Sequence, residues 1–157
     1  MPLEFQSESY TPSQPTEITV FTVENPAFED STSTYTVQLR GPGGAIIANT
    51  AFTAIELTLI DEVTRIPINS RVDQDVLDAA GAKLGQNNVV ITTQSLLTWS
   101  VQATDNVIVA ADKSSKFEWH RAIFKFEFDS GSGAEIGFHE VRIPVQRRFQ
   151  TQLPTVN

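Results

Sequence analysis

The sequence predicts an all-β protein, a sandwich or barrel of roughly seven or eight strands. Three observations predict it. β-Branched and aromatic side chains are plentiful: the 157 residues include 17 Thr, 14 Val, 12 Ile and 10 Phe, types that fit a pleated, half-buried surface and lose rotamer freedom in a helix. Apolar residues alternate with period two in several short runs. Turn-forming residues separate those runs at short intervals.

In chain order, Glu17–Val23 is the first extended run, with Ile18 and Val20 set against Thr19 and Phe21. Tyr35, Val37 and Leu39 then alternate with Thr36 and Gln38, the signature of one buried face. Gly41-Pro42-Gly43-Gly44 breaks the chain as a tight turn, followed by a short extended piece at Ala45–Ala48. Ile55–Ile60 places Ile55, Leu57 and Leu59 on one face, and Val89–Thr93, Leu96–Val101 and Val107–Ala110 read as further strands.

One helical segment interrupts the strands. Ser70 and Asp73 form an S-x-x-D start, Val72, Val76, Leu77 and Ala80 fall on one helical face, and Gly81 supplies the stop. The expectation is a short helix packed over a sheet edge.

The last hairpin is the longest. Phe117–Phe128 and Glu135–Gln146 flank Asp129-Ser130-Gly131-Ser132-Gly133-Ala134. A two-residue turn at Ser132-Gly133 predicts Phe124 opposite Val141, Ala122 opposite Ile143, His120 opposite Val145, and Lys125 opposite Glu140. In that register apolar meets apolar and opposite charges meet.

Composition excludes several functions. The absence of cysteine removes disulfide frameworks, thiolate catalysis and Cys-built metal sites. A net charge of −8 with four lysines argues against nucleic acid as a partner. No apolar run is long enough to span a bilayer, and Met1-Pro2-Leu3-Glu4-Phe5 has neither the basic start nor the apolar stretch of a secretory signal, so no membrane partner is expected.

Chemical motifs are sparse. Asp73, Asp75 and Asp78 lack the Gly and Glu that a calcium loop starting at Asp73 requires, Asp78 and Leu84 standing there instead, and read as solvated acids near a helix start. In the predicted register His120 and His139 share a face but lie about 20 Å apart, too far to share a metal. There is no nucleophile elbow, and Gly41–Gly44 lacks the ending of a phosphate loop. Glu118, Glu127 and Glu140 read as exposed strand acids. No catalytic residue, metal ligand or cofactor site is assigned, and the chain is not read as an enzyme.

Aromatic residues offer an interaction surface instead. Trp99, Trp119, Tyr10 and Tyr35 could stack on sugars, although core or rim positions are commoner for aromatics in sandwich strands. Trp119 is the better candidate, because it alternates with Arg121 and Lys125 on the face opposite Ala122, Phe124 and Phe126. Arg147, Arg148 and Phe149 form a second candidate, a basic-aromatic patch on an acidic chain.

The succession PIN, DVL, LGQNNVVITTQSLLTWSVQATDNVIV, FEWHRAIFKFEF and GFHEVRIPV, from Ile68-Asn69 to Val145, resembles small immunoglobulin-like β-sandwich virion proteins of tailed bacteriophages. The resemblance lies in Leu96-Leu97-Thr98-Trp99, Thr104-Asp105-Asn106, Glu118-Trp119-His120-Arg121-Ala122 and the closing strand, a pattern of strand and turn residues covering roughly the last half of the chain. The disulfide and tryptophan partner of antibody domains are absent.

The resemblance implies a single immunoglobulin-like β-sandwich with one short helix and extended terminal arms. It further implies a non-enzymatic structural component of a virion, assembled in host cytoplasm at the neck, tail or baseplate, or decorating the capsid. The partners would be other virion proteins and copies of itself, in a ring or repeated array. The expected division is an arm over 1–16, a β-sandwich over 17–149 and a second arm over 150–157. Pro2, Pro12, Pro15 and Pro154 suit irregular or polyproline-like arms. Ordering such arms costs about 1–2 kcal/mol per residue, which contacts with neighbours would offset. A glycan- or receptor-binding sandwich using Trp119 is the alternative reading.

Overall fold

The computed structural model describes residues 20–22, 27–78, 83–109 and 117–148. Nine strands occupy them: β1 (Val20–Thr22), β2 (Ala27–Phe28), β3 (Ser33–Gln38), β4 (Phe52–Asp61), β5 (Gln74–Asp75), β6 (Val89–Ile91), β7 (Leu96–Val101), β8 (Phe117–Asp129) and β9 (Ala134–Gln146). The fold is all-β and built on two sheets. The larger is ordered β1-β9-β8-β4-β5, with β2 also on β9; the smaller is ordered β3-β7-β6. Helical geometry among the described residues is confined to the short turns Pro42–Gly44, Asn49–Ala51 and Ala103–Asn106, and no described helix is long and apolar enough to cross a membrane.

Period-two patterning places the core. Ile55, Leu57 and Leu59 of β4 and Ala122, Phe124, Phe126 and Phe128 of β8 all point inward. From the smaller sheet, Leu97, Trp99 and Val101 of β7 and Val89 and Ile91 of β6 are buried with them. The sheets meet where Trp99 packs edge-on against Phe124, with ring centroids 5.8 Å apart and planes at 78°. Within the larger sheet, Phe52 of β4 meets Phe126 of β8 edge-on as well, at 6.1 Å. Such edge-to-face pairs add about 0.5–1.5 kcal/mol beyond the area they bury.

The N-terminal strands join with the opposite sense. β1 and β2 lie parallel to β9, Val20 opposite Glu140 and Phe28 opposite Gln146, whereas β4, β8 and β9 pair antiparallel. The predicted strand at Glu17–Val23 is met by Val20–Thr22; its other residues lie outside the described ones.

Four expectations are corrected. The predicted helix starting at Ser70 is extended chain with β5 inside it, an edge strand on β4. Ser70 and Asp73 take positive φ (54° and 45°), which stops a right-handed helix. The Asp73 N–H donates to Thr58 Oγ1 and the Val76 N–H to the Ile55 carbonyl, so the segment is hydrogen-bonded along β4. Val76 and Leu77 are buried while Val72 is 51% exposed, so the proposed helical face does not exist. Ala80 and Gly81 lie outside the described residues.

The hairpin register differs by two residues. The loop spans four residues, Ser130 to Ser132 and Gly133, because the Asp129 side chain accepts the N–H groups of Gly131 (2.8 Å) and Gly133 (3.3 Å) and organises a wider turn. Phe124 faces His139, Ala122 faces Val141 and His120 faces Ile143. A two-residue shift preserves which face each side chain occupies, so the burial pattern is unaffected. Lys125 lies opposite Phe138 and ion-pairs with Glu56 and Glu127, while Glu140 pairs with Arg121.

The strand expected at Val107–Ala110 is not one over its described residues, 107–109. Finally, Glu118 and Glu140 are buried, not exposed. Glu118 lies on the inner face of β8 and accepts the Val109 N–H (3.0 Å), which holds residue 109 against the sheet in place of strand pairing.

Candidate functional site

Trp119 and Arg121, both candidates from the sequence, stand on the outer face of the larger sheet and belong to one cluster. β8 and β9 pair Arg121 directly with Arg142, and Trp119 with Pro144. The Arg142 guanidinium lies over the Trp119 ring, 4.2 Å from its centroid, a cation–π contact. Glu62, at the end of β4, neutralises both arginines: Arg142 Nε donates to Glu62 Oε2 at 2.6 Å, and Arg121 Nη2 is 3.7 Å from Glu62 Oε1. Arg121 Nη1 also donates to Glu140 Oε2 at 3.3 Å. Two like charges can thus sit side by side because two carboxylates flank them. Sequence reasoning missed Glu62 and Arg142; only the true register reveals that Arg142 faces Arg121.

Arg147 and Arg148 follow the last residue of β9, and Phe149 lies outside the described residues. The Arg148 N–H donates to Glu29 Oε2 at 3.1 Å, fixing the chain as it leaves the sheet. Two aromatic residues stand exposed at this end. Phe28, Gln146 and Phe117 share one register row across β2, β9 and β8, with Phe28 50% and Phe117 42% exposed.

Loop residues between 69 and 106 meet in a buried polar cluster. Arg71, 2% exposed, donates through Nε to Asp105 Oδ1 (2.6 Å) and through Nη2 to Oδ2 (3.0 Å). Asn69 Nδ2 and the Gln102 N–H complete the carboxylate's partners at 2.7 and 2.9 Å. The remaining guanidinium hydrogens go to the Gln74 side chain, the Asn87 carbonyl and Asn88 Oδ1. The next residue, Asn106, donates to the Ser31 carbonyl at 2.8 Å. Asn69, Asn87-Asn88 and Asp105-Asn106 are therefore scaffold residues that tie three loops together.

Both histidines are buried in the core layer. His120 Nε2 hydrogen-bonds Glu118 at 2.7 Å. His139 Nε2 hydrogen-bonds the Tyr35 hydroxyl across the two sheets, and the rings stack with centroids 5.8 Å apart. Burial lowers His139 from 6.5 to about 4 and raises Tyr35 from 10.0 to about 12, so both are neutral near pH 7. His139 lies opposite Phe124, four residues along β8 from His120, and the two histidines keep separate partners.

Where β8 turns into β9, a cleft of about 600 Å³ opens between the hairpin and the Gly41–Ala48 turn. Its walls are largely apolar, with Ile46, Ala45 and Phe128, and Asp129 and Glu135 stand on its rim. Among the described residues no group of three or more His, Asp or Glu is arranged to hold a metal ion.

No protein-family model matches the chain, and no curated protein and no solved structure matches it.

Proposed function

We propose that this chain is a non-enzymatic structural component of a tailed-phage virion, an immunoglobulin-like β-sandwich repeated in many copies at the neck or tail. The observation that supports the reading is an all-β body of two sheets in which the resembling segments form the strands Leu96–Val101, Phe117–Asp129 and Ala134–Gln146. Arg71, Asp105 and Asn69 hold loops together. The two histidines are likewise held by Glu118 and Tyr35 inside the core.

Its mechanism is assembly. The arms expected at 1–16 and 150–157 lie outside the described residues; exposed strand edges offer main-chain hydrogen bonds to neighbours. The acidic net charge of −8 limits nonspecific association. Its partners are other virion proteins and further copies of itself, not nucleic acid or membrane, and its location is the particle. Capsid decoration is the nearest variant. A glycan-binding role for Trp119 is disfavoured because Arg142 covers one face of its ring.

Antibody labelling of purified tailed particles from the host that carries the gene tests this reading. Label in a ring at the neck or along the tail is expected, and label over the shell selects the decoration variant. Particles without label overturn it.

A further inference from the structure

The two ends of β9 are chemically complementary. At its start lies the apolar cleft beside the β8–β9 turn, with Ile46 48% exposed in its wall and Asp129 and Glu135 at its rim. At its finish stand the exposed rings of Phe28 and Phe117, followed by Arg147 and Arg148. The thirteen residues of β9 separate these ends by about 40 Å. One copy cannot bring its own two ends together, whereas two copies can.

We propose that the chain associates head to tail with a second copy of itself, the Phe28–Phe117 row and following arginines of one copy seating against the acidic-rimmed cleft of the next. The inference rests on the structural role proposed above and names the contact that would build the ring. Aromatic area meets apolar wall and arginine meets carboxylate, the pairing found at the centre and rim of protein interfaces. A contact between two different patches is heterologous, so the growing array keeps one free end of each kind and adds copies until the rotation closes it into a ring.

The test uses the full chain and light scattering coupled to size exclusion. Wild type should form assemblies larger than dimers, growing with concentration. Ile46→Asp disables the cleft, and Phe28→Ser with Arg148→Glu disables the aromatic end. Each should elute as a monomer of 17.3 kDa with an unchanged far-UV spectrum. Mixed, they retain one working pair of ends and should form two-chain species and nothing larger. Ala45→Asp, at another exposed cleft position, replaces Ile46→Asp should that variant unfold. A wild-type chain that stays monomeric at millimolar concentration overturns the proposal, and so does a mixture that gives no heterodimer. Either result with the chain still present in particles leaves the virion reading standing; absence from particles removes that reading alone.

Discussion

Arg71 grips Asp105 with two parallel hydrogen bonds, Nε to Oδ1 at 2.6 Å and Nη2 to Oδ2 at 3.0 Å, in a site where both side chains are almost fully buried. The two residues belong to different loops, and the pair locks both against the smaller sheet, with the guanidinium 5.8 Å from the Trp99 ring. A buried ion pair is weak evidence of net stability, because desolvation offsets its attraction; breaking it by removing one partner is costly.

Asp105→Ala should therefore destabilise the fold by about 3–5 kcal/mol, the cost of an unpaired buried charge. The double variant Arg71→Met/Asp105→Leu should lose much less than the two single losses combined. Urea unfolding of the four proteins measures both. Equal and additive losses would show that the pair does not act as a unit.

Gly137 is the one position of β9 that must lack a side chain. A Cβ there would lie 2.3 Å from the Phe126 ring, which covers the glycine from the paired strand. Gly137→Ala should cost about 1–3 kcal/mol, the usual penalty of overpacking. Phe126→Leu in the same chain should recover part of it, read as a partial return of the thermal midpoint.

Burial of Tyr35 and His139 gives stability a pH window. The native state holds His139 at about 4 against 6.5 for a free histidine, so the unfolded state binds the extra proton between those values. Stability from this group is complete above pH 6.5 and falls as pH drops toward 4. Tyr35 is raised to about 12 from 10.0, so its contribution is complete below pH 10 and falls as pH rises toward 12. Denaturant midpoints across pH 4–7 should slope less in His139→Gln than in wild type.

Trp119→Ala removes the ring beneath Arg142 and should cost about 0.5–2 kcal/mol. The loss should shrink in Arg142→Ala, since the contact is then already absent. A double-mutant cycle by urea unfolding reads the coupling.

The strand regions were legible because period-two burial survives in the sequence: Ile55, Leu57 and Leu59, or Phe124 and Phe126, announce their inward face by alternation alone. Legibility failed where the deciding partner is distant. Val72, Val76 and Leu77 have helical spacing, and nothing local reveals that β4 offers its edge to residues 74 and 75. The hairpin register turned on the Asp129 side chain bonding two glycine amides, a choice between neighbouring turn geometries that alternate pairings satisfy equally well. At the candidate interface, Trp119 and Arg121 could be singled out by their outward alternation. Glu62 and Arg142 could not, because they join them only through strand pairing. Arg71 gathers Asp105, the Asn87 carbonyl and Asn88, and Asp105 in turn takes Asn69; those partnerships are visible only in three dimensions.

Electron cryo-microscopy of purified tailed particles, averaged with the symmetry of the neck and tail, tests the central claim most directly. The account predicts density for this two-sheet body repeated around the particle axis, with the aromatic end of each copy against the cleft of the next. Particles that are complete and infectious yet contain no copy of the chain would contradict it.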